Sequence, residues 1–309
     1  MNKKNLILFF LLILVFILSL LIGPVFSFEK EIIFNIRFPR ILSVILSGAI
    51  LSVSGLLTQT LFRNPIAEPY LLGISAGGAL GSFIGKNFIP YFPYNPQIFA
   101  FLFSQIIVFL VILISFRNGF LPRETLLLSG IALSLLCSSI LSFLIFISPS
   151  ERIKIFFWLF GSFSLIEWKE FFIIFIVFLI SIFPIILNLN KFDLFLLSDE
   201  EVLSLGINLK RERVFLSLLI SFMTGAIISV LGIIGFIGLI VPHIGRMISG
   251  SGKHKNVILN VIITGSILLL ICDDLSRILF KGAEIPVGVF TSLLGVPFFL
   301  YLLIKRRNY

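Results

Sequence analysis

The chain has 309 residues, of which 58% are hydrophobic and 13% are charged. A soluble globular protein carries about 45–50% apolar and about 25% charged residues, so this composition excludes a soluble globule. The formal net charge of +9 does not require a nucleic-acid partner, because Lys and Arg beside lipid headgroups explain it. We therefore predict an all-α polytopic membrane protein that binds no nucleic acid.

Ten apolar runs follow one another along the chain, separated by short breaks. A helix needs about 20 apolar residues to cross a hydrocarbon layer about 30 Å thick. The predicted spans are residues 5–22, 37–62, 71–87, 97–116, 124–147, 169–189, 211–231, 233–249, 256–275 and 287–304. The boundary between the seventh and eighth spans depends on Gly232 and Gly235, because no charged residue separates them. Residues 1–309 are predicted to form a single transmembrane domain.

The first span has two interpretations. Lys3 and Lys4 precede it, and residues 25–27 resemble the cleavage site of a secretory signal peptide. Its apolar core is longer than the stretch of about 7–15 residues that is usual in such a peptide. We therefore expect an uncleaved membrane span.

Basic residues predict the orientation of the chain. With the N terminus in the cytoplasm, more than half of the 24 Lys and Arg residues fall on the cytoplasmic side, as the positive-inside rule requires. These residues are Lys3, Lys4, Arg63, Arg117, Arg123, Lys191, Lys210, Arg211, Arg213, Arg246, Lys253, Lys255, Lys305, Arg306 and Arg307. We expect both termini in the cytoplasm and the chain in the cytoplasmic, or inner, membrane.

The second span begins with two arginines and continues with small side chains. Arg37 and Arg40 lie three residues apart around Pro39, so they share one helix face, which we expect at the outer surface. Small and polar residues then recur at steps of three and four, which fits either close helix packing or the lining of a pathway. They are Ser47, Gly48, Ser52, Gly55 and Gln59.

The second span ends in an elbow, which we define as residues 63–69. Pro65 cannot continue a helix, and it moves Asn64 out of the helical region. Glu68 and Pro69 are typical of the start of the next helix, where an acidic side chain is favourable. A short and rigid cytoplasmic turn is predicted.

The longest polar segment is residues 191–213. Ser198 is predicted to cap a helix whose first turn holds Asp199, Glu200 and Glu201, and Gly206 is predicted to end it. The pattern predicts a cytoplasmic helix of about two turns. Either a partner protein binds it, or it is a linker on the membrane surface.

Charged residues are rare within the predicted spans. Asp273 and Asp274 interrupt the ninth, and Arg277 lies four residues beyond Asp273, so we expect an ion pair at the outer rim rather than a proton relay. Carboxylates otherwise lie almost only at span ends, which disfavours the alternative of a proton-coupled secondary carrier.

Several kinds of site are missing from the sequence. Residues 81–87 lack the spacing and the Ser or Thr of a nucleotide-binding loop. His243 and His254 lack the spacing of a zinc site, and Cys137 and Cys272 lie in apolar runs, where we expect packing residues without a disulfide. We expect no catalytic residue, metal or cofactor in this chain, so any ATP is bound by another chain.

Seven ordered segments resemble the iron-chelate and cobalamin permease family of ATP-binding-cassette (ABC) importers, called FecCD. They are RFPR at 37–40, SGLLTQTLFRNPIAEPYLLGISAGGALG at 54–81, LLLSGIAL at 126–133, WLFGSFSLIEW at 158–168, LGIN at 205–208, GFIGLIVPHIGR at 235–246 and EIPVGVFTSLLGVPFFLYLL at 284–303. The resemblance covers essentially the whole chain. It implies the permease fold of a type II ABC importer, in which ten helices form half of a translocation path.

The resemblance also implies partners. They are a second permease copy, usually identical, two ATPase subunits that bind ATP and Mg, and an extracytoplasmic substrate-binding protein. The implied substrate is a metal chelate, namely an iron(III) siderophore or haem, with cobalamin or molybdate as alternatives.

Site residues are carried over by position in the matching motifs. Arg37, Arg40 and Arg277 match arginines that dock the binding protein, and Asn64 and Ile66 match a cytoplasmic gate. Residues 121–125 match a second gate strip. The coupling helix that the ATPase grips is matched by Ser198, Asp199, Glu200, Glu201, Val202, Leu203, Leu205 and Gly206.

Overall fold

A computed structural model of the chain describes residues 3–23, 29–88, 95–117, 119–148, 155, 158–280 and 283–307. Helices form the architecture of these residues. In chain order they are α1 (Lys3–Leu21), α2 (Phe38–Phe62), α3 (Ile74–Phe88), α4 (Asn95–Ser115), α5 (Arg123–Ile147), α6 (Trp168–Leu194), α7 (Asp199–Ser204), α8 (Leu209–Leu231), α9 (Ile237–Ser249), α10 (His254–Ile278) and α11 (Val287–Arg307). A helical turn at Lys30–Ile32 and a π-helical turn at Ile33–Arg37 lead directly into α2.

Seven of the described helices are long and apolar enough to cross a membrane. The other three predicted spans coincide with α3, α9 and α11. Helices α3 and α9 are shorter than a full crossing, with 15 and 13 residues. Each predicted span therefore overlaps a helix, while ten complete crossings remain a prediction.

The chain divides into two compact units. Unit 1 consists of Met1–Leu56, Phe160–Ile185 and Ile234–Tyr309, and unit 2 consists of Leu57–Leu159 and Ile186–Ile233. The prediction of one transmembrane domain over residues 1–309 stays a prediction.

Close backbone contact organises unit 1. Gly48 of α2 packs on the backbone of Gly265 in α10, and Gly55 packs on the backbone of Gly238 in α9. A side chain at either position would overlap the facing backbone. Ser52, between them, is also fully buried. Of the two interpretations of the small residues in α2, helix packing is therefore the one that these positions support.

The chain breaks between α8 and α9, as Gly232 and Gly235 predict. Helix α8 ends at Leu231 because Gly232 adopts a left-handed φ of 81°. Phe236, with φ of 68°, precedes the first residue of α9 and packs its ring on Gly295. A bulky residue in this region of backbone space is strained, and the sequence did not predict it.

Unit 2 is also built on small residues. Gly81 of α3 packs on the carbonyl of Phe99 in α4, and Gly130 of α5 packs on the carbonyl of Leu71. Ser104 Oγ adds a hydrogen bond to the carbonyl of Ile74, at 2.9 Å. These contacts hold α3, α4 and α5 together beside the elbow.

Candidate functional site

Helix α7 begins with a complete capping box. Ser198 Oγ accepts from the backbone N–H of Glu201 at 3.2 Å, and Glu201 Oε2 accepts from the backbone N–H of Ser198 at 2.7 Å. Two backbone donors that a helix start leaves unpaired are thus satisfied. These hydrogen bonds from Ser198 hold the pKa of Glu201 below its ordinary value. The predicted N-cap is confirmed.

The rest of α7 exposes apolar side chains. Val202 is fully buried, whereas Leu203 is 47% and Leu205 is 58% exposed. Gly206 follows with φ of 74°, which confirms the predicted stop. The helix has six residues, close to the two turns predicted. Leu203 in the helix and Leu205 directly after it form an exposed apolar surface that a partner can cover.

Three arginines surround the carboxylate of Asp199, the first residue of α7. Its Oδ1 lies 3.2 Å from Arg63 Nη2 and 3.0 Å from Arg123 Nη2. Its Oδ2 accepts a hydrogen bond from Arg213 Nη2. We call these four residues the Asp199 cluster.

The charges of the Asp199 cluster determine the protonation of its one acid. Burial by itself would raise the pKa of Asp199. The hydrogen bond from Arg213, together with the charges of Arg213, Arg123 and Arg63, outweighs burial and holds this pKa below its ordinary value. The carboxylate is therefore ionised at neutral pH.

The elbow has a defined turn. Arg63 adopts a left-handed φ of 47° directly after α2. Asn64 Oδ1 then accepts from the backbone N–H of Ile66 at 3.2 Å, and the Asn64 carbonyl accepts from Ala67 N–H at 3.0 Å. Asn64 and Ile66 are both half-buried. The predicted turn is present, while its rigidity and the gate role of these two residues stay predictions.

The 121–125 strip leads into α5. Leu121 is buried, and its carbonyl accepts from Arg213 Nη1 at 2.8 Å. Thr125 Oγ1 donates to the carbonyl of Pro122 at 2.9 Å, which fixes the first turn of the helix. Arg213 therefore contacts both this strip and α7.

A second group of charges lies in unit 1, where α2 begins and α10 ends. Arg40 lies 2.8 Å from Asp273 Oδ1 and 2.9 Å from Glu284 Oε1. Arg277 lies 3.2 Å from Asp273 Oδ2 and also pairs with Asp274. The predicted Asp273–Arg277 pair is present. We call these five residues the Arg40 cluster.

Helix α1 is fastened to this region through hydrogen bonds. Ser19 Oγ donates to Asp274 Oδ2 at 2.6 Å. Arg277 Nη1 donates to the carbonyl of Ile22 at 3.0 Å, and Arg37 Nη1 donates to the carbonyl of Leu20 at 2.8 Å. The end of α1 thus supplies partners for buried charges.

The docking role of Arg37, Arg40 and Arg277 stays a prediction, and the structure shows that all three side chains are buried. Arg37 and Arg40 are each 6% exposed, and Arg277 is 3% exposed. The reason is that carboxylates of the same chain and carbonyls of α1 already surround them. The sequence indicates the pairing of Arg277 with Asp273 but no partner for Arg40.

The members of the Asp199 cluster that lie outside α7 were not predicted as site residues. From the sequence, Arg63, Arg123 and Arg213 are predicted only as basic residues that orient the chain. Each stands at or near the end of a predicted span, which is the one local signal they share. Nothing in their spacing indicates that they meet at one carboxylate.

Three curated proteins illustrate what the chain is similar to. It is 38% identical to the hemin transport system permease protein HmuU of Yersinia pestis, over 89% of this chain and 83% of that protein. It is 38% identical to an iron chelatin transport system permease protein of Helicobacter pylori, over 90% and 83%. It is 33% identical to the vitamin B12 import system permease protein BtuC of Citrobacter koseri, over 93% and 87%.

A solved structure and a family profile agree with these relatives. The fold matches that of a metal-chelate type ABC transporter in an inward-facing conformation with a TM-score of 0.90 and 30% identity, over 99% of this chain and 100% of that one. The chain is thus a membrane-embedded transport permease. The profile of the FecCD transport family matches residues 6–305, and the chain belongs to that family.

Proposed function

We propose that this permease forms half of the translocation path of a binding-protein-dependent ABC importer for an iron(III) chelate, either a siderophore or haem. The observation that carries the proposal is the family match over residues 6–305. The hemin and iron chelatin permeases among its relatives favour an iron chelate. Cobalamin is the alternative substrate, because vitamin B12 permeases are similar over almost the same length.

We propose that α7, flanked by Ser198 and Gly206, is the coupling helix, which the ATPase subunits grip. The capping box gives it a fixed start, and the exposed side chains of Leu203 and Leu205 offer an apolar contact. ATP and Mg would bind to the two ATPase subunits, and a second copy of the permease would complete the path. Asn64, Ile66 and the 121–125 strip would form the cytoplasmic gate.

Ten crossings with both termini in the cytoplasm fit this assignment. Helix α2 has 25 residues, so it is about 37 Å long and long enough to cross the membrane. Arg40 lies in its first turn and Arg63 directly after its last residue. These two arginines would then lie at opposite surfaces of the inner membrane, with Arg63 and α7 on its cytoplasmic side.

The outer face around Arg37, Arg40 and Arg277 is the proposed docking surface for the extracytoplasmic binding protein. Glu284 is the most exposed carboxylate of the Arg40 cluster, with 29% of its side chain exposed. An acidic residue of the binding protein would compete with Glu284 for the guanidinium of Arg40. Docking would therefore exchange one carboxylate for another rather than fill an empty site.

A crosslinking experiment tests the coupling role. In the assembled transporter, a thiol-specific crosslinker attached at Glu200→Cys should reach the ATPase subunit. The same crosslinker at Lys30→Cys, at the opposite end of the helical run into α2, should not. If the ATPase is crosslinked from Lys30→Cys and not from Glu200→Cys, the proposed orientation is inverted. If Glu200→Cys gives no crosslink to the ATPase, the proposed coupling role is contradicted.

Substrate class requires a separate comparison. Reconstituted vesicles are offered cyanocobalamin together with haem or a ferric siderophore, and the uptake of each is measured. The iron chelate should be imported more readily than cyanocobalamin. Preference for cyanocobalamin would favour the alternative, and it would leave the rest of the proposal in place.

A further inference from the structure

We propose that Asp199 is a positioning residue that ties the coupling helix to both parts of the cytoplasmic gate. Motion of α7 would reach the elbow and the 121–125 strip through this one carboxylate. The inference rests on the proposed coupling role of α7, and it adds the residue that transmits the motion.

The two carboxylate oxygens of Asp199 serve different segments of the chain. Oδ1 lies between Arg63, which opens the elbow, and Arg123, which lies within the 121–125 strip and begins α5. Oδ2 binds Arg213 in α8. One side chain on α7 thus contacts three elements, two of which carry the proposed gate residues.

Two of these arginines make a second connection to the backbone. Arg63 Nε donates to the carbonyl of Phe195, in the segment before α7, at 2.6 Å. Arg213 Nη1 donates to the carbonyl of Leu121 at 2.8 Å. A guanidinium is planar and can contact two acceptors at once. Arg213 bridges two oxygens by hydrogen bonds, and Arg63 combines one hydrogen bond with an ion pair. Asp199 is joined through Arg213 to the strip, and it pairs directly with Arg63, the residue before Asn64.

The members of the Asp199 cluster differ in how deeply they are buried. The side chains of Arg213 and Arg123 are 6% and 11% exposed, whereas that of Asp199 is 41% exposed. The arginines belong to the body of unit 2, and the carboxylate belongs to the short helix on its surface. Of the residues in α7 only Val202 is buried. An apolar contact of this kind does not fix direction. We therefore assign the orientation of α7 to the hydrogen bond from Arg213 and the ion pairs with Arg63 and Arg123.

Charge makes Asp199 irreplaceable by a neutral side chain. Three guanidinium groups face one carboxylate, and without it they would repel one another in a partly buried environment. An Asp199→Asn substitution keeps the size of the side chain but removes that charge. The arginines would then lose the group that holds them around α7.

The experiment compares import with ATP hydrolysis in the complete transporter in proteoliposomes, with the ATPase and binding protein present. In Asp199→Asn, ATP hydrolysis should continue, while the amount of ferric chelate imported per ATP should fall about tenfold, as the loss of an ordinary coupling energy predicts. Glu212→Gln is the matched control, because it removes a half-buried acidic charge beside Arg213 and belongs to neither α7 nor the gate. Its import per ATP should equal that of the wild type.

An Asp199→Asn transporter with the wild-type ratio of import to hydrolysis would overturn the inference, and so would an equal fall in Glu212→Gln. If Asp199→Asn does not assemble, the double variant Asp199→Asn with Arg123→Gln carries the same test, because it leaves two arginines facing the neutral side chain instead of three. A low ratio there supports the inference and a normal ratio overturns it. Failure of the wild-type complex to import with ATP would instead contradict the proposed function itself.

Discussion

Arg40 and Asp273 form a bidentate ion pair although 233 positions separate them in the sequence. Arg40 Nη2 donates to Asp273 Oδ1 at 2.8 Å, and Nε lies 3.2 Å from both carboxylate oxygens. Asp273 has no exposed surface. The pair therefore joins the start of α2 to the end of α10 inside unit 1, where either charge alone would be costly.

The first prediction concerns the stability of this pair. Asp273→Asn should destabilise the folded permease by about 3–5 kcal/mol, because it leaves Arg40 and Arg277 without a shared buried carboxylate. Unfolding of purified protein in mixed micelles measures the change. Glu31→Gln is the control, since Glu31 is exposed and lies outside the Arg40 cluster. Equal unfolding curves for the two variants would contradict the prediction.

The second prediction concerns docking. Glu284→Gln should increase the affinity of the permease for its binding protein by about fivefold, the equivalent of about 1 kcal/mol for one partly exposed ion pair. The reason is that Arg40 Nη1 loses the carboxylate that lies 2.9 Å away. Surface plasmon resonance with the permease in nanodiscs measures the dissociation constant, and Glu31→Gln is again the control. Weaker binding by Glu284→Gln would show that Glu284 contributes to docking instead of competing with it.

Charge reversal at Arg40 is a poor test of docking. An Arg40→Glu side chain would face Asp273 and Glu284, so it would place three acidic groups together inside unit 1. We expect this variant to lose folding before it loses docking. Low yield of Arg40→Glu with normal yield of Glu284→Gln is the expected result from membrane preparations, and normal yield of both would contradict it.

The third prediction concerns pH. The pKa of Asp199 is lowered on folding, so its stabilising contribution is present above the unfolded pKa of about 3.9 and is lost as pH falls through the lower folded value. The difference in melting temperature between wild type and Asp199→Asn should therefore stay constant from about pH 8 to pH 5. It should shrink only below about pH 4. A difference that disappears between pH 7 and pH 5 would rule out the ionised carboxylate as its source.

The fourth prediction concerns the capping box of α7. Ser198→Ala removes the acceptor for the N–H of Glu201 and should cost about 1 kcal/mol of local helix stability. Hydrogen exchange of residues 199–204 should become faster by about fivefold. Ser198→Thr keeps the hydroxyl and should exchange like the wild type. Equal exchange in Ser198→Ala would mean that α7 does not depend on its cap.

Local features of the chain were the ones that its sequence predicted well. Ser198, Glu201 and Gly206 carry the start and end of α7 within nine positions, and Pro65 keeps the preceding residue, Asn64, out of the helical region. Gly232 similarly indicates the break before α9. Each of these effects acts between near neighbours, so one sequence is enough to find it.

Contacts between segments that are distant in the sequence were not predicted. Arg40 with Asp273 and Arg63 with Asp199 join positions whose partners depend on how whole helices pack, and a single sequence does not contain that information. The small residues of α2 show the same limit. Their spacing fitted both packing and a pathway, and the contacts of Gly48 with Gly265 and of Gly55 with Gly238 support packing.

The most direct test of the central claim is the energy source of transport. Proteoliposomes with the permease, its ATPase and its binding protein should import a ferric chelate only when ATP and Mg are present on the ATPase side, and an uncoupler of proton gradients should have no effect. Import by the permease alone, driven by a proton gradient and stopped by the uncoupler, would contradict the claim.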